Sequence, residues 1–145
     1  MKAIILAAGR GSRLKYLTED LPKGLVKLAG KSLLEWQVSS LKAVGVDDIT
    51  IVTGYCKEAI EALGFKTCHN RDWASTNMVS SLLCAVDLIT EKTIVSYSDI
   101  VYSPDVPRTL LECNEALGVV YDLDWLELWS ARSDDPLDDA ESFRI

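Results

Sequence analysis

Histidine is almost missing from this chain: His69 is the only one in 145 residues. That leaves little material for a Ser-His-Asp or Cys-His hydrolase, and none for a histidine-rich metal site. Cys56, Cys68, Cys84 and Cys113 are widely spaced with no CxxC pair, which argues against a zinc finger and against a disulfide framework. No apolar run exceeds Ala3–Ala8, whereas a membrane helix needs about 20 residues. The segment Met1–Leu6 is too short and too soon followed by glycine for a signal peptide. The expectation is a cytoplasmic protein with no membrane partner. With only 8 glycines and 4 prolines the chain is neither collagen-like nor low-complexity. A net charge of −7 argues against general nucleic-acid binding.

What is present suits one globular domain, residues 1–145, with enough apolar material (48%) for a proper core. The charge is uneven. Residues 1–31 carry seven bases (Lys2, Arg10, Arg13, Lys15, Lys23, Lys27, Lys31) against two acids, while residues 121–145 carry eight acids against two bases. A basic head on an acidic chain suits a local site for a small anion, although composition alone fits a solvated face equally well.

Strand patterns fall at Lys2–Leu6, Ile49–Val52, Phe65–Cys68, Thr93–Tyr97 and Leu117–Tyr121. Helical patterns follow Ser32 as a cap (Leu34, Val38, Leu41, with Gly45 as stop), cover Cys56–Leu63, run from Val79 to Ile89 behind Thr76 or Asn77, and cover Val106–Cys113. Cys84, inside the third helical pattern, reads as a small core residue. Alternation of strands and helices predicts an α/β fold with a parallel sheet, whose ligands sit beyond the carboxyl ends of the strands.

Two glycine motifs are decoys. Gly9-Arg10-Gly11 has Leu14 where a dinucleotide fingerprint needs its third glycine, and no acid follows the second strand. Gly24 and Gly30-Lys31-Ser32 are separated by five residues where a P-loop needs four, so Gly30-Lys31 is a turn before the Ser32 cap. What remains is a loop of small residues, Ala7, Ala8, Gly9 and Gly11, which lets a ligand approach backbone amides. Arg13 adds a planar fork for phosphate, and Lys23, stiffened by Pro22, adds a point charge.

The stretches Leu6–Leu14, Thr18-Glu19-Asp20-Leu21-Pro22-Lys23 and Leu28–Glu35, spaced over about thirty residues, together resemble the nucleotidyltransferase family of sugar-phosphate and MobA-like NTP transferases. Asn77–Leu82 and Tyr97-Ser98-Asp99-Ile100 are similar to later family segments. Tyr121–Trp125 and Asp135–Phe143 resemble its phosphocholine cytidylyltransferase-like branch.

The resemblance implies a Rossmann-like three-layer α/β/α sandwich with a mostly parallel sheet. It implies that Leu6, Ala7, Ala8 and Gly9 meet base and ribose. Gly11, Ser12, Arg13 and Lys23 would hold the phosphates, with Arg13 and Lys23 acting catalytically. Asn77 and Ser80 would help read the base, and Asp99 would hold Mg²⁺. From the residues alone, Asp99 and Asn77 read as ordinary caps. The implied partners are an NTP, CTP by the branch, and a small phosphorylated acceptor such as phosphocholine. The implied reaction is attack of an acceptor phosphate oxygen on the α-phosphorus, with pyrophosphate leaving.

A sugar-1-phosphate acceptor is the alternative, and a nucleotide-binding domain without catalysis is a third reading. The family's second half adds an acceptor region and a second metal-binding acid. The chain is therefore expected to be the N-terminal portion of a longer enzyme, to turn over poorly alone, and to self-associate through exposed apolar surface. Trp125 and Trp129, near Asp122 and Asp124, have the chemistry of a quaternary-ammonium cage. Ordinary packing is the preferred reading of both.

Overall fold

β1 (Lys2–Ala7) is the aliphatic run at the start of the chain, and it becomes the inner strand on which the sheet is built. The computed structural model describes residues 1–131 and 134–137. β1 pairs in parallel with β4 (Asp48–Thr53) on one side and with β6 (Thr93–Tyr97) on the other. β5 (Lys66–His69) extends the sheet beyond β4, giving the order β5-β4-β1-β6. A two-residue hairpin, β2 (Lys27–Leu28) and β3 (Lys31–Ser32), stands apart from it. Gly30, at φ +88°, makes its turn, as the reading of Gly30-Lys31 requires.

Side chains alternate across β1, so one short strand feeds two cores. Ala3, Ile5 and Ala7 join Ile49 and Ile51 beneath α1 (Leu33–Lys42), which contributes Leu34, Val38 and Leu41. α2 (Lys57–Glu61) adds Ile60 to that face, and α4 (Asp105–Glu112) adds Leu111 at its margin. Ile4 and Val52 face the other way, onto Ala85 and the half-buried Leu82 of α3 (Met78–Leu83). Helices on both faces of a parallel sheet make the three-layer Rossmann-like architecture that the family resemblance implies.

α1 begins with a complete capping box. The Glu35 amide donates to Ser32 Oγ at 3.1 Å, and the Ser32 amide donates to Glu35 Oε2 at 2.8 Å. The bond from the Ser32 amide, and then a second from Ser32 Oγ to the same oxygen at 2.8 Å, hold the Glu35 carboxyl below its ordinary value, with Lys27 and Lys31 adding positive charge nearby.

Three expectations need correction. The apolar pattern from Val79 to Ile89 is not one helix. The Ala85 amide turns back to Leu82 O at 2.9 Å, α3 ends, and a separate 3₁₀ turn covers Val86–Leu88. Cys84 is exposed rather than in the core, because Ala85 takes the inward position. Leu117–Tyr121 forms no strand. Leu117 is 81% exposed and Val119 64%, and without a neighbouring strand β-rich residues gain neither ladder bonds nor a face to pack on.

The chain divides into two compact units, Met1–Glu112 and Cys113–Ile145. The second contains α5 (Trp125–Ser130), on which the half-buried Trp125 and Trp129 stand four residues apart. A shallow hollow in this unit is lined by Asp122, Asp124, Glu127, Leu128 and Ala131, and neither tryptophan is among its lining residues. Of the segment Asp135–Phe143, residues 138–143 lie outside the described residues.

Candidate active site

The strand order reverses between β1 and β6: the chain leaves β1 toward β4 and β5, then crosses back to β6 on the far side. The loops after β1 and β6 therefore diverge and open a crevice at the carboxyl end of the sheet, which is where open α/β folds bind ligands. The site lies within the unit Met1–Glu112.

From β1 the chain passes the buried Ala7 and Ala8 and the exposed Gly9 to Gly11, which has φ +71° and precedes the 3₁₀ segment Ser12–Thr18. A side chain at Gly11 is doubly disfavoured. The backbone is left-handed, and a Cβ there would sit 2.7 Å from Lys23 Cβ. Ser12 and Arg13 occupy the exposed first turn, and Leu6 is half-buried at the strand's end. Buried Thr18 closes the loop by donating to Gly11 O at 3.0 Å. Tyr55 fastens the loop at both ends: its amide donates to Ala8 O at 2.9 Å and its phenol to Glu19 O. The Tyr55 ring also lies 5.4 Å from the Arg10 guanidinium and meets Trp73 edge-on at 5.4 Å.

Lys23 opens a second 3₁₀ turn, Lys23–Leu25, behind buried Pro22. Its Nζ reaches Asp99 Oδ2 at 2.5 Å, across 76 residues of sequence. The approach is close because the neighbour of Lys23 is glycine: a Cβ at Gly24 would stand 3.1 Å from Ser98 Cβ. Ser98 is itself tied to the central strand, its amide donating to Leu6 O at 3.1 Å. The structure thus brings Gly11, Lys23 and Asp99 together from three separated segments. Both side chains of the ion pair are about one-third exposed, so the pair alone adds at most about 1 kcal/mol and is open to incoming ligand.

Asn77 caps α3, its Oδ1 accepting from the amides of Val79 and Ser80 at 3.0 and 3.2 Å. The cap reading of the sequence holds for its oxygen, which leaves the Nδ2 amide as the group available to a ligand. Ser80 is half-buried one turn later. α3 begins at the same sheet end as β6 finishes, since Tyr97 Oη donates to Met78 Sδ at 2.8 Å.

Gln37, Tyr55 and Asn70 shape this site and are absent from the sequence-derived set. Gln37 had a usable signal: it is polar, yet it lies on the same helix face as Leu34, Val38 and Leu41. Asn70, 3% exposed, holds the loop before α3 by donating to Thr76 Oγ1 and Ser81 Oγ and accepting from the Asp72 amide. Nothing local marks that role within a polar stretch.

Among the described residues no three His, Cys, Asp or Glu side chains converge as a metal cluster. Asp99 offers one accessible carboxylate beside a phosphate-sized loop. That donor set is unsuited to a closed protein cage, and it fits Mg²⁺, which is commonly held by one or two carboxylates plus substrate phosphates and water. No helix among the described residues is long and apolar enough to cross a membrane.

The MobA-like NTP transferase domain matches residues 3–128. The chain belongs to that family. Among its relatives is the CTP:phosphoglutamine cytidylyltransferase of Campylobacter jejuni, 39% identical over all of this chain and 62% of its own length. The choline-phosphate cytidylyltransferase of Streptococcus pneumoniae is 43% identical over 67% of this chain and 42% of its own. A solved structure of CTP:phosphocholine cytidylyltransferase from S. pneumoniae, LicC, superposes with a TM-score of 0.66 at 37% identity, covering 72% of this chain and 49% of that one. This member of the MobA-like family thus spans about three-fifths or less of the length of these relatives.

Proposed function

We propose that residues 1–145 form a nucleotidyltransferase domain, the nucleotide-binding portion of a cytidylyltransferase. Such an enzyme moves CMP from CTP to a small phosphorylated acceptor of the phosphocholine type and releases pyrophosphate. The observation that carries this reading is the meeting of Lys23 and Asp99 beside the Gly11 loop at the β1–β6 crevice. The cytidylyltransferase relatives support CTP as the nucleotide and a small phosphorylated acceptor. The acidic net charge supports small-molecule rather than nucleic-acid partners, and we place the protein in the cytoplasm.

In this mechanism the acceptor brings its own nucleophile, a phosphate oxygen, so no serine, cysteine or histidine nucleophile is needed. The chain orients the reactants and meets their charge. Leu6, Ala7, Ala8 and Gly9 present backbone to the nucleoside, and Asn77 with Ser80 reads the base. Gly11 and Ser12 offer backbone to the triphosphate, and Arg13 and Lys23 face its negative charge. Lys23 exchanges its Asp99 partner for phosphate oxygens as the nucleotide enters. Asp99, freed of Lys23, is the side chain that would hold Mg²⁺. When bound, that ion supplies positive charge that offsets the phosphates and aligns them.

The test is calorimetric titration of the chain with each NTP and Mg²⁺, followed by pyrophosphate release across phosphocholine, other phosphorylated alcohols and amines, and sugar-1-phosphates. CTP is expected to bind most tightly. Equal or absent affinity for all four nucleotides would refute the assignment. Asp99→Asn is expected to remove most of the gain in CTP affinity that Mg²⁺ provides, and an unchanged gain would remove Asp99 from the metal site.

A further inference from the structure

The Lys23–Asp99 pair is too exposed to hold its own geometry, so something else must fix the turn that carries Asp99. The structure identifies what does. Gln37 is wholly buried in α1, on the face turned toward the sheet. Its Nε2 donates to Tyr97 O at 2.9 Å and to Ile100 O at 2.7 Å, the two backbone carbonyls that bracket Ser98-Asp99. Its Oε1 accepts from Ser96 Oγ at 3.0 Å, which orients the amide so that the NH₂ faces the turn. One helical turn further on, Ser40 Oγ donates to Tyr102 O at 2.7 Å. The turn is therefore tied to α1 before and after Asp99, while the Ser98 amide ties it to Leu6 of β1.

A glutamine on the apolar face of a helix is costly unless its polar atoms are all paired. Here both hydrogens and the oxygen are used, and every partner belongs to Ser96–Ile100. An apolar side chain of the same volume would fill the space as well, so packing does not require the amide. The amide does something a hydrocarbon cannot: it gives the part-buried carbonyls on either side of Ser98-Asp99 a common donor and so fixes the direction of the turn.

We propose that Gln37 is a positioning residue for Asp99: through the carbonyls of Tyr97 and Ile100 it holds the carboxylate where Lys23, the metal and the phosphates meet. The proposal rests on Asp99 being the metal-holding carboxylate. Misplacement of a reacting group by about 1 Å can cost on the order of 100-fold, so a carboxylate on an otherwise exposed turn gains from such a clamp.

The experiment measures the affinity of the chain for CTP by calorimetry with and without Mg²⁺, in wild type, Gln37→Met, Asp99→Asn and the double variant. Hydrogen exchange of the 97–102 amides accompanies each measurement. Gln37→Met keeps the volume and removes the donors. It is expected to leave metal-free CTP affinity within about twofold, to cut the Mg²⁺-linked gain by about tenfold, and to speed exchange at 97–102 selectively. The double variant is expected to show no further loss beyond Asp99→Asn, because both changes act through one carboxylate. If Asp99→Asn keeps the full Mg²⁺ gain, the metal assignment of Asp99 fails, and this proposal with it. If Asp99→Asn loses the gain and Gln37→Met keeps it, the positioning role alone fails. A uniform loss of affinity with and without metal, with faster exchange throughout, would show a merely structural residue and overturn the proposal. Should Gln37→Met not fold, Ser96→Ala removes the bond that orients the amide, together with the Ser96 hydroxyl's own bond to Tyr97 O at 3.2 Å, and leaves both Gln37 donors in place. It is then expected to lower the same gain by about two- to threefold, and an unchanged gain would overturn the proposal.

Discussion

The Lys23 stem occupies the space a Cβ at Gly11 would need, and each residue limits what the other can be. A methyl group at Gly11 would press on the Lys23 stem at 2.7 Å while forcing an L-residue to φ +71°. Gly11→Ala is expected to destabilise the fold by about 1–2 kcal/mol. It is also expected to weaken CTP binding more than Lys23→Ala does, since it displaces loop and lysine together. Lys23→Ala removes a one-third-exposed charge and no core atom. Its unfolding midpoint should stay close to wild type while its affinity for the triphosphate falls about tenfold. Parallel thermal melts and CTP titrations of the two variants separate these effects: one moves both quantities, the other only affinity. The charge, the glycine and the spacing of Lys23 from Gly11 were legible in the sequence. Their proximity was not, because it depends on how Pro22 and the 3₁₀ turn aim the lysine.

At the scale of elements, α1 joins the sequence-readable start of a helix to a sequence-silent function. Its start is written locally in Ser32 and Glu35, three residues apart, and the structure shows both bonds of the box. Ser32→Ala is expected to destabilise the chain by about 1 kcal/mol, measured by urea unfolding near neutral pH. Glu35 adds a pH signature. Its carboxyl is held below the ordinary value of 4.5, so its contribution is present above that value and is lost as pH falls through the lowered one. Ser32→Ala removes the hydroxyl's bond to the carboxylate but keeps the larger one from the backbone amide, so the gap between variant and wild type should narrow only slightly as the solution is acidified. The strands and α1 were legible because periodicity and caps are local. The break after Leu83, the exposure of Cys84 and the failure of Leu117–Tyr121 to form a strand were not. Each is decided by what packs against the segment, and an apolar run does not name its neighbour. Gln37 and Asn70 are the same lesson in polar form: a buried amide takes its meaning from partners 59 or 11 residues away.

For the molecule as a whole, the proposed nucleotide site is built on the sheet, since the turn that carries Asp99 is tied to Leu6 of β1 and Gly24, beside Lys23, lies close against Ser98 of that turn. A nucleotide that binds only the folded chain is expected to add about 2.7 kcal/mol at one hundred times its dissociation constant. That gain should appear as a rise in the unfolding midpoint with CTP and Mg²⁺ concentration. A midpoint that ignores nucleotide would show that the Gly11–Lys23–Asp99 crevice is not where it binds. The register of the sheet carries a further consequence, for the order of events in time. β1 is the first strand to be synthesised, yet its partners begin at Asp48 and Thr93, so Lys2 waits for residues 46 and 91 positions away. Closing loops of that length before any pairing is rewarded slows the search for the native state. On a ribosome the first strand is therefore an aliphatic segment without any neighbour until β4 has emerged, and without its second until Tyr97 has. Asp99 follows two residues later. If the proposed site holds the nucleotide, that ability arrives at almost the same moment as the fourth strand of this sheet, and nucleotide capture by a nascent chain would time that moment directly.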